Sequence, residues 1–183
     1  MARSARSVAA ALVVVLWAGC SGADGQKETA EGQLSHRDVE CREAIGVVEE
    51  PGPFYRVHGS GDGFVALPAW EMQLGRWGSA GSGYEDYRFS KFGLHVRRLR
   101  QVSLEIVTAP DKASLDYGWS GPTPVDALTA GPCGSDSGDW SIWAGGIWVN
   151  EPGCVELVAT SDEEEISVWL AVGASCDGVP AKS

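Results

Sequence analysis

Asparagine, basic residues and long apolar runs are all scarce in this chain. Asn150 is the one asparagine among 183 residues, and Asn150-Glu151-Pro152 is not a glycosylation sequon. Lys and Arg together number 14 against 25 Asp and Glu, a formal net charge of −11. Nucleic-acid affinity comes mainly from neutralising phosphates, so a chain of this sign is a poor partner for nucleic acid, and none is expected. The most apolar run, Val8 to Ala18, has eleven residues. At 1.5 Å per residue it falls well short of a hydrocarbon core about 30 Å thick, so it does not span a membrane.

The usual catalytic and metal-binding patterns are missing too. No Cys-x-x-Cys occurs, and His36, His58 and His95 form no ligand pattern with the cysteines. No metal, redox pair or other cofactor is therefore expected. The Gly-x-Ser-x-Gly elbow of α/β-hydrolases is absent, since His58 precedes Ser60 and Ala80 precedes Ser82 at the flanking position. No repeat of 20–50 residues is visible.

What is present begins with an address. Arg3 and Arg6 precede the Val8–Ala18 run, which has the length of a signal h-region. The run ends in Trp17-Ala18-Gly19-Cys20, which resembles the bacterial lipobox. That resemblance implies that residues 1–19 are a lipoprotein signal peptide and that Cys20 receives diacylglycerol. The sequence departs from the motif in one place: Trp17 fills the slot where leucine is usual, and Leu16 stands one residue early. The resemblance places the protein on the outer face of the cell membrane, a lipid its contact with the bilayer. The alternative is a plain secretory peptide and a freely secreted chain. Losing Arg3 and Arg6 with the leader makes the mature chain more acidic still. The polar, small-residue stretch after Cys20 has no apolar face to bury and reads as a flexible tether over 20–38.

Setting Cys20 aside leaves Cys41, Cys133, Cys154 and Cys176. In an exported chain four thiols read as two disulfides, with three connectivities possible. Short separation and turn-like flanks favour Cys133–Cys154, which leaves Cys41–Cys176 to join the first and last segments of the body.

The body itself reads as strands. Val102, Leu104 and Ile106 alternate with polar residues, as do Val155, Leu157 and Ala159, and Ile166, Val168, Leu170 and Val172. A period of two puts one set on a core face and the other toward solvent. The two later runs, separated by residues 161–165, read as an antiparallel hairpin over 154–172. Weaker strand signals lie at 43–48, 54–58, 63–67, 94–99, 125–128 and 140–149. With no sustained 3.6 period, the fold expected is all-β, an antiparallel β-sandwich of Ig-like or Greek-key type stapled by two disulfides. The sandwich is placed at 39–178, followed by a tail at 179–183.

Gly131-Pro-Cys133, the run Trp140–Val149, Glu151-Pro-Gly-Cys154 and Val172-Gly-Ala-Ser-Cys176 together resemble a β-domain of exported actinobacterial lipoproteins. The resemblance covers about 45 residues. It implies a secreted β-domain with paired cysteines and carries no catalytic residue.

Several side chains remain as candidates for chemistry. Gly134–Asp139 places Asp136 and Asp139 in a polar loop chemically suited to Ca²⁺, but without EF-hand spacing; an ordinary loop is the reading adopted. Asp162–Glu165 reads as a solvated hairpin tip. Arg88, Lys91, Arg97, Arg98 and Arg100 concentrate positive charge and read as a solvated strand edge, the alternative being contact with anionic headgroups or envelope polymers. The aromatic residues stand out. Trp169 lies on the face opposite Val168 and Leu170, and Trp143 and Trp148 fall out of phase with Ile142 and Ile147. With the aliphatic set inward, Trp143, Trp148 and Trp169, together with Trp77, become platforms for sugar rings or a protein partner. The competing reading is a second packed face beneath the aromatic-rich 70–92 segment. These features point to a lipid-anchored, non-enzymatic binding or interaction module of the cell envelope. The alternative is a cell-wall or glycan-active hydrolase using paired carboxylates.

Overall fold

A computed structural model describes residues 35–118, 123–134, 137–162 and 164–177. The expected leader, Cys20, the tether up to residue 34, Trp119, Asp136 and the tail lie outside the described residues.

The described body is built of strands β1 (His36–Val39), β2 (Ala44–Val48), β3 (Tyr55–His58), β4 (Val65–Pro68), β5 (Arg88–Arg97), β6 (Val102–Thr108), β7 (Ala113–Tyr117), β8 (Ala127–Ala130), β9 (Trp140–Val149), β10 (Gly153–Ser161) and β11 (Glu164–Val172). They form two sheets, one ordered β1-β8-β6-β10-β11 and the other β2-β9-β5-β4-β3. In the second sheet β5 runs along the whole of β9, while β2 and β7 share its other edge end to end. The β-sandwich class read from the strand pattern is therefore the observed one. Five consecutive connections, from β5 to β10, cross between the layers. One pair departs from the antiparallel expectation: β1 lies parallel to β8.

Alternation decides which side chains fill the space between the sheets. Phe92, Leu94 and Val96 of β5 meet Trp143, Ile147 and Val149 of β9 in one core with Leu104, Leu128, Leu157 and Leu170 of the other sheet. Each such side chain contributes about 1.5–3 kcal/mol by leaving water. The hairpin of β10 and β11 is tighter than expected. Ser161 pairs with Glu164, and Asp162 turns the chain with φ of 53°, a conformation aspartate tolerates better than most residues.

The disulfides join Cys41 to Cys133 and Cys154 to Cys176, with Cα separations of 5.6 and 5.5 Å. This corrects the favoured pairing of Cys133 with Cys154 and Cys41 with Cys176. The ten-residue strand β9 lies between Cys133 and Cys154, and at roughly 3.3 Å per residue it carries the chain about 30 Å from one end of the sheet to the other. The parallel pairing that sets Val39 opposite Ala130 delivers Cys41 and Cys133 to the same end. The hairpin register, Cys154 opposite Ala171, does the same for Cys154 and Cys176.

Two boundaries also move. β1 begins at His36, so the folded body starts before the expected tether boundary at residue 38. β5 begins at Arg88, six residues ahead of the 94–99 signal, and sits between β9 and β4. Arg88, Lys91 and Arg97 therefore lie on a central strand and not on an edge.

Candidate functional site

The outer face of the six-stranded sheet is where unusual side chains gather. The residues of β5 that point away from the core include Phe89, Lys91, His95 and Arg97. Opposite them in register on β9 stand Trp148, Gly146, Ile142 and Trp140. On β7, Leu115 and Tyr117 point inward, which turns Asp116 to the outer face beside them. Over this surface runs the long connection 69–87. Gly75 N–H donates to Phe89 O, Phe89 N–H to Arg76 O, and Gly78 N–H to Tyr87 O, so the connection is sewn onto the start of β5. Arg88 fastens it further, donating from Nη2 to Leu74 O at 2.9 Å with its guanidinium 5.5 Å from the Trp77 ring centre.

Between connection and sheet lies a cleft of about 530 Å³, within the range of roughly 300–1,000 Å³ typical of small-ligand sites. Trp148 forms its floor, 4.8 Å from the Phe89 ring and 6.1 Å from that of Tyr84. Trp77 stands at the mouth, 57% exposed, while Trp148 is 6% exposed. Arg76, Ser79, Ser82, Lys91 and Asp116 supply the polar lining. Glycine makes the floor possible. A Cβ on Gly145 would strike the Tyr117 ring and the Asp116 carbonyl, and one on Gly146 would strike Ser90 O.

Asp116 accepts the indole N–H of Trp148 at 2.9 Å on Oδ2 and the Thr123 backbone N–H at 3.2 Å on Oδ1. The carboxylate thus fixes the indole plane and still presents lone pairs to a ligand hydroxyl. Burial raises the pKa of the Tyr84 phenol, with the neighbouring Tyr87, Asp126 and Asp116 adding to the shift. The phenol therefore stays a hydrogen-bond donor across the neutral range. Flat rings with a few convergent polar groups can stack on the faces of sugar rings and pair with their hydroxyls.

The four tryptophans singled out from sequence have three different fates. Trp77 and Trp148 are brought together in the cleft. Trp143 is fully buried in the core, its Nε1–H donating to Glu40 O at 3.0 Å. The expectation of an exposed ring fails there because Ile142 and Ile147 are an odd number of residues apart, so they never shared a face. Trp143 goes in with Ile147, and Trp148 goes out with Ile142. Trp169 does lie on the outer face of its sheet, but in a separate, smaller groove of about 260 Å³ with Arg56, His58 and Trp70. Its Nε1–H is buried there with no partner among the described residues.

The remaining candidates are engaged structurally. Ser60 Oγ donates to Glu164 at 2.8 Å and Ser82 Oγ to Ser79 O at 2.6 Å. His36 meets Asp38 and Thr129, but through the same ring nitrogen, which is not the geometry of a relay. Asp139 pairs with Arg97 at 3.2 Å, and Arg97 also covers the Trp140 ring at 4.5 Å. Arg100 pairs with Asp162, and Arg98 donates to Gly138 O at 2.9 Å. Asp116 is the one carboxylate among the described residues lining the cleft. The two facing acids a glycosidase requires are not met there. Among the described residues no three His, Cys, Asp or Glu side chains converge to hold a metal.

Asp116, Arg76 and Tyr84 were not singled out from sequence as site residues. The signal for Asp116 was available in Leu115-Asp116-Tyr117, where inward apolar neighbours force the carboxylate to the opposite face. Compared with known proteins, the chain matches no family model and no curated sequence.

Proposed function

We propose that this chain is an exported lipoprotein, held at the outer face of the cell membrane through Cys20, whose β-sandwich body binds an envelope glycan without cleaving it. The observation that carries the binding role is the aromatic cleft: Trp148 as floor, Phe89 and Tyr84 as walls, and an exposed Trp77 at its mouth. Aromatic faces of this kind match the C–H faces of sugars, and the serines, Asp116 and Lys91 match their hydroxyls. A binding role is favoured over hydrolysis because Asp116 already accepts from Trp148 and Thr123. Two disulfides suit a body that works outside the reducing cytosol. The lipobox-like Trp17–Cys20 supplies the anchor, and a freely secreted form would carry the same body.

Titrating the purified full chain with chitotetraose, followed by tryptophan fluorescence, tests the binding role. Saturable binding is expected, with Trp77→Ala weakening it about tenfold through loss of the stacking ring at the mouth. Equal affinity of the variant, or no binding by the parent chain, contradicts the reading. Cys20→Ala is expected to move the protein from the membrane fraction to the soluble exported fraction; retention in the membrane contradicts the anchor.

A further inference from the structure

We propose that the cleft is one half of a longer groove that takes an acidic oligosaccharide, with a sugar carboxylate held between Arg76 and Lys91. This rests on the glycan reading above and extends it to the charge and length of the ligand. A second cavity of about 470 Å³ adjoins the first, and Arg76, Phe89 and Lys91 line both. It leads to Trp70, whose ring lies 6.1 Å from that of the exposed Phe54. Exposed rings therefore stand at both ends of the groove, with two cations at the junction. A single sugar occupies one cavity; only a chain reaches both.

Charge selects the kind of chain. Arg76 and Lys91 are exposed and belong to no ion pair among the described residues. Farther along, Arg97 and Arg100 are taken up by Asp139 and Asp162. The molecule as a whole is anionic, but charges beyond a screening length of about 8–10 Å count for little at physiological salt, so the local sign decides. Two cations in an acidic body suit spaced single carboxylates. A chain carrying phosphate or sulfate on every unit would set one of those groups against the Asp116 carboxylate in the first cavity. Asp116 lines only the first cavity, so the groove is polarised. A neutral ring lies over Trp148 where Asp116 accepts its hydroxyl, and the acidic ring follows at the guanidinium and ammonium.

The test compares a hyaluronan tetrasaccharide, in which neutral rings alternate with carboxylate-bearing ones, with its methyl ester, which keeps the rings and the length and removes the charge. Binding to the full chain is measured at low and at physiological salt. The acid is expected to bind about tenfold more tightly, with an advantage that shrinks as salt rises. In the double variant Lys91→Gln, Arg76→Gln the two ligands should come within about twofold of each other, because the paired charges are gone. Equal affinity of acid and ester for the parent chain, or an advantage that survives the double variant, overturns the acidic-sugar inference and leaves the glycan reading standing. Failure of both ligands to bind overturns the acidic-sugar inference, and the glycan reading falls with it only where chitotetraose fails to bind as well.

Discussion

His95 points out of the sandwich, yet solvent reaches only 6% of it. The Tyr55 ring lies tilted against it at 4.2 Å, and its Nδ1 lies 3.3 Å from Gly93 O. Burial lowers its pKa from 6.5, partly offset by the Gly93 hydrogen bond. His58 is lowered as well, by burial and then by the nearby Arg56 charge. The sign of the consequence follows from proton linkage. Above pH 6.5 both rings are neutral, folded or unfolded, and stability is complete. Below it the unfolded chain takes up the proton first, so stability falls with pH until the folded rings protonate in turn. Melting curves at pH 7.5 and 5.5 should show this loss, and His95→Phe, which keeps a ring against Tyr55, should reduce it while the His58 share persists. An unchanged loss in the variant contradicts the assignment. At this scale the sequence was legible where parity was unambiguous, as for Trp169 beside Val168 and Leu170. It misleads at Trp143, because Ile142 and Ile147 stand on opposite faces of β9 and mark no single inward set.

The strands explain why cross-links sit where they do. Cys41–Cys133 closes a separation of 92 residues and ties the β1 end to the β8 end, whereas Cys154–Cys176 closes 22 and fastens the base of the last hairpin. Loop-closure entropy makes the first worth about 5 kcal/mol and the second about 3 kcal/mol. Urea unfolding of the Cys41→Ser, Cys133→Ser pair should therefore show the greater loss, and equal losses would contradict the entropic ranking. Long strands with clean alternation, β6, β10 and β11, were readable because burial on one face imprints a period of two. β1 and β7 were not. β7 has only Leu115 and Tyr117 to mark its inner face, and β1 contributes one buried residue, Val39, from a stretch that otherwise looks like tether. The cysteine partners were hidden for a related reason. Proximity in sequence says little once a ten-residue strand stands between two positions, and it is the register that brings ends together.

For the whole molecule, the two layers and the connection that folds over one of them produce the cleft. A concentration of rings in the 70–92 segment was visible in the sequence. That these rings close over Trp148, and that Asp116 arrives from β7 to orient its indole, required the topology, since the contributing strands are far apart in the chain. The same geometry separates four tryptophans by environment: Trp77 at the mouth, Trp148 on the floor, Trp143 in the core and Trp169 in a smaller groove bordered by Trp70. That separation allows a direct test by the indole N–H resonances of the full chain during titration with chitotetraose. The account predicts that the Trp77 and Trp148 resonances shift together and saturate while that of Trp143 stays fixed. Shifts confined to Trp169, or none in Trp77 and Trp148 at saturating sugar, would contradict it.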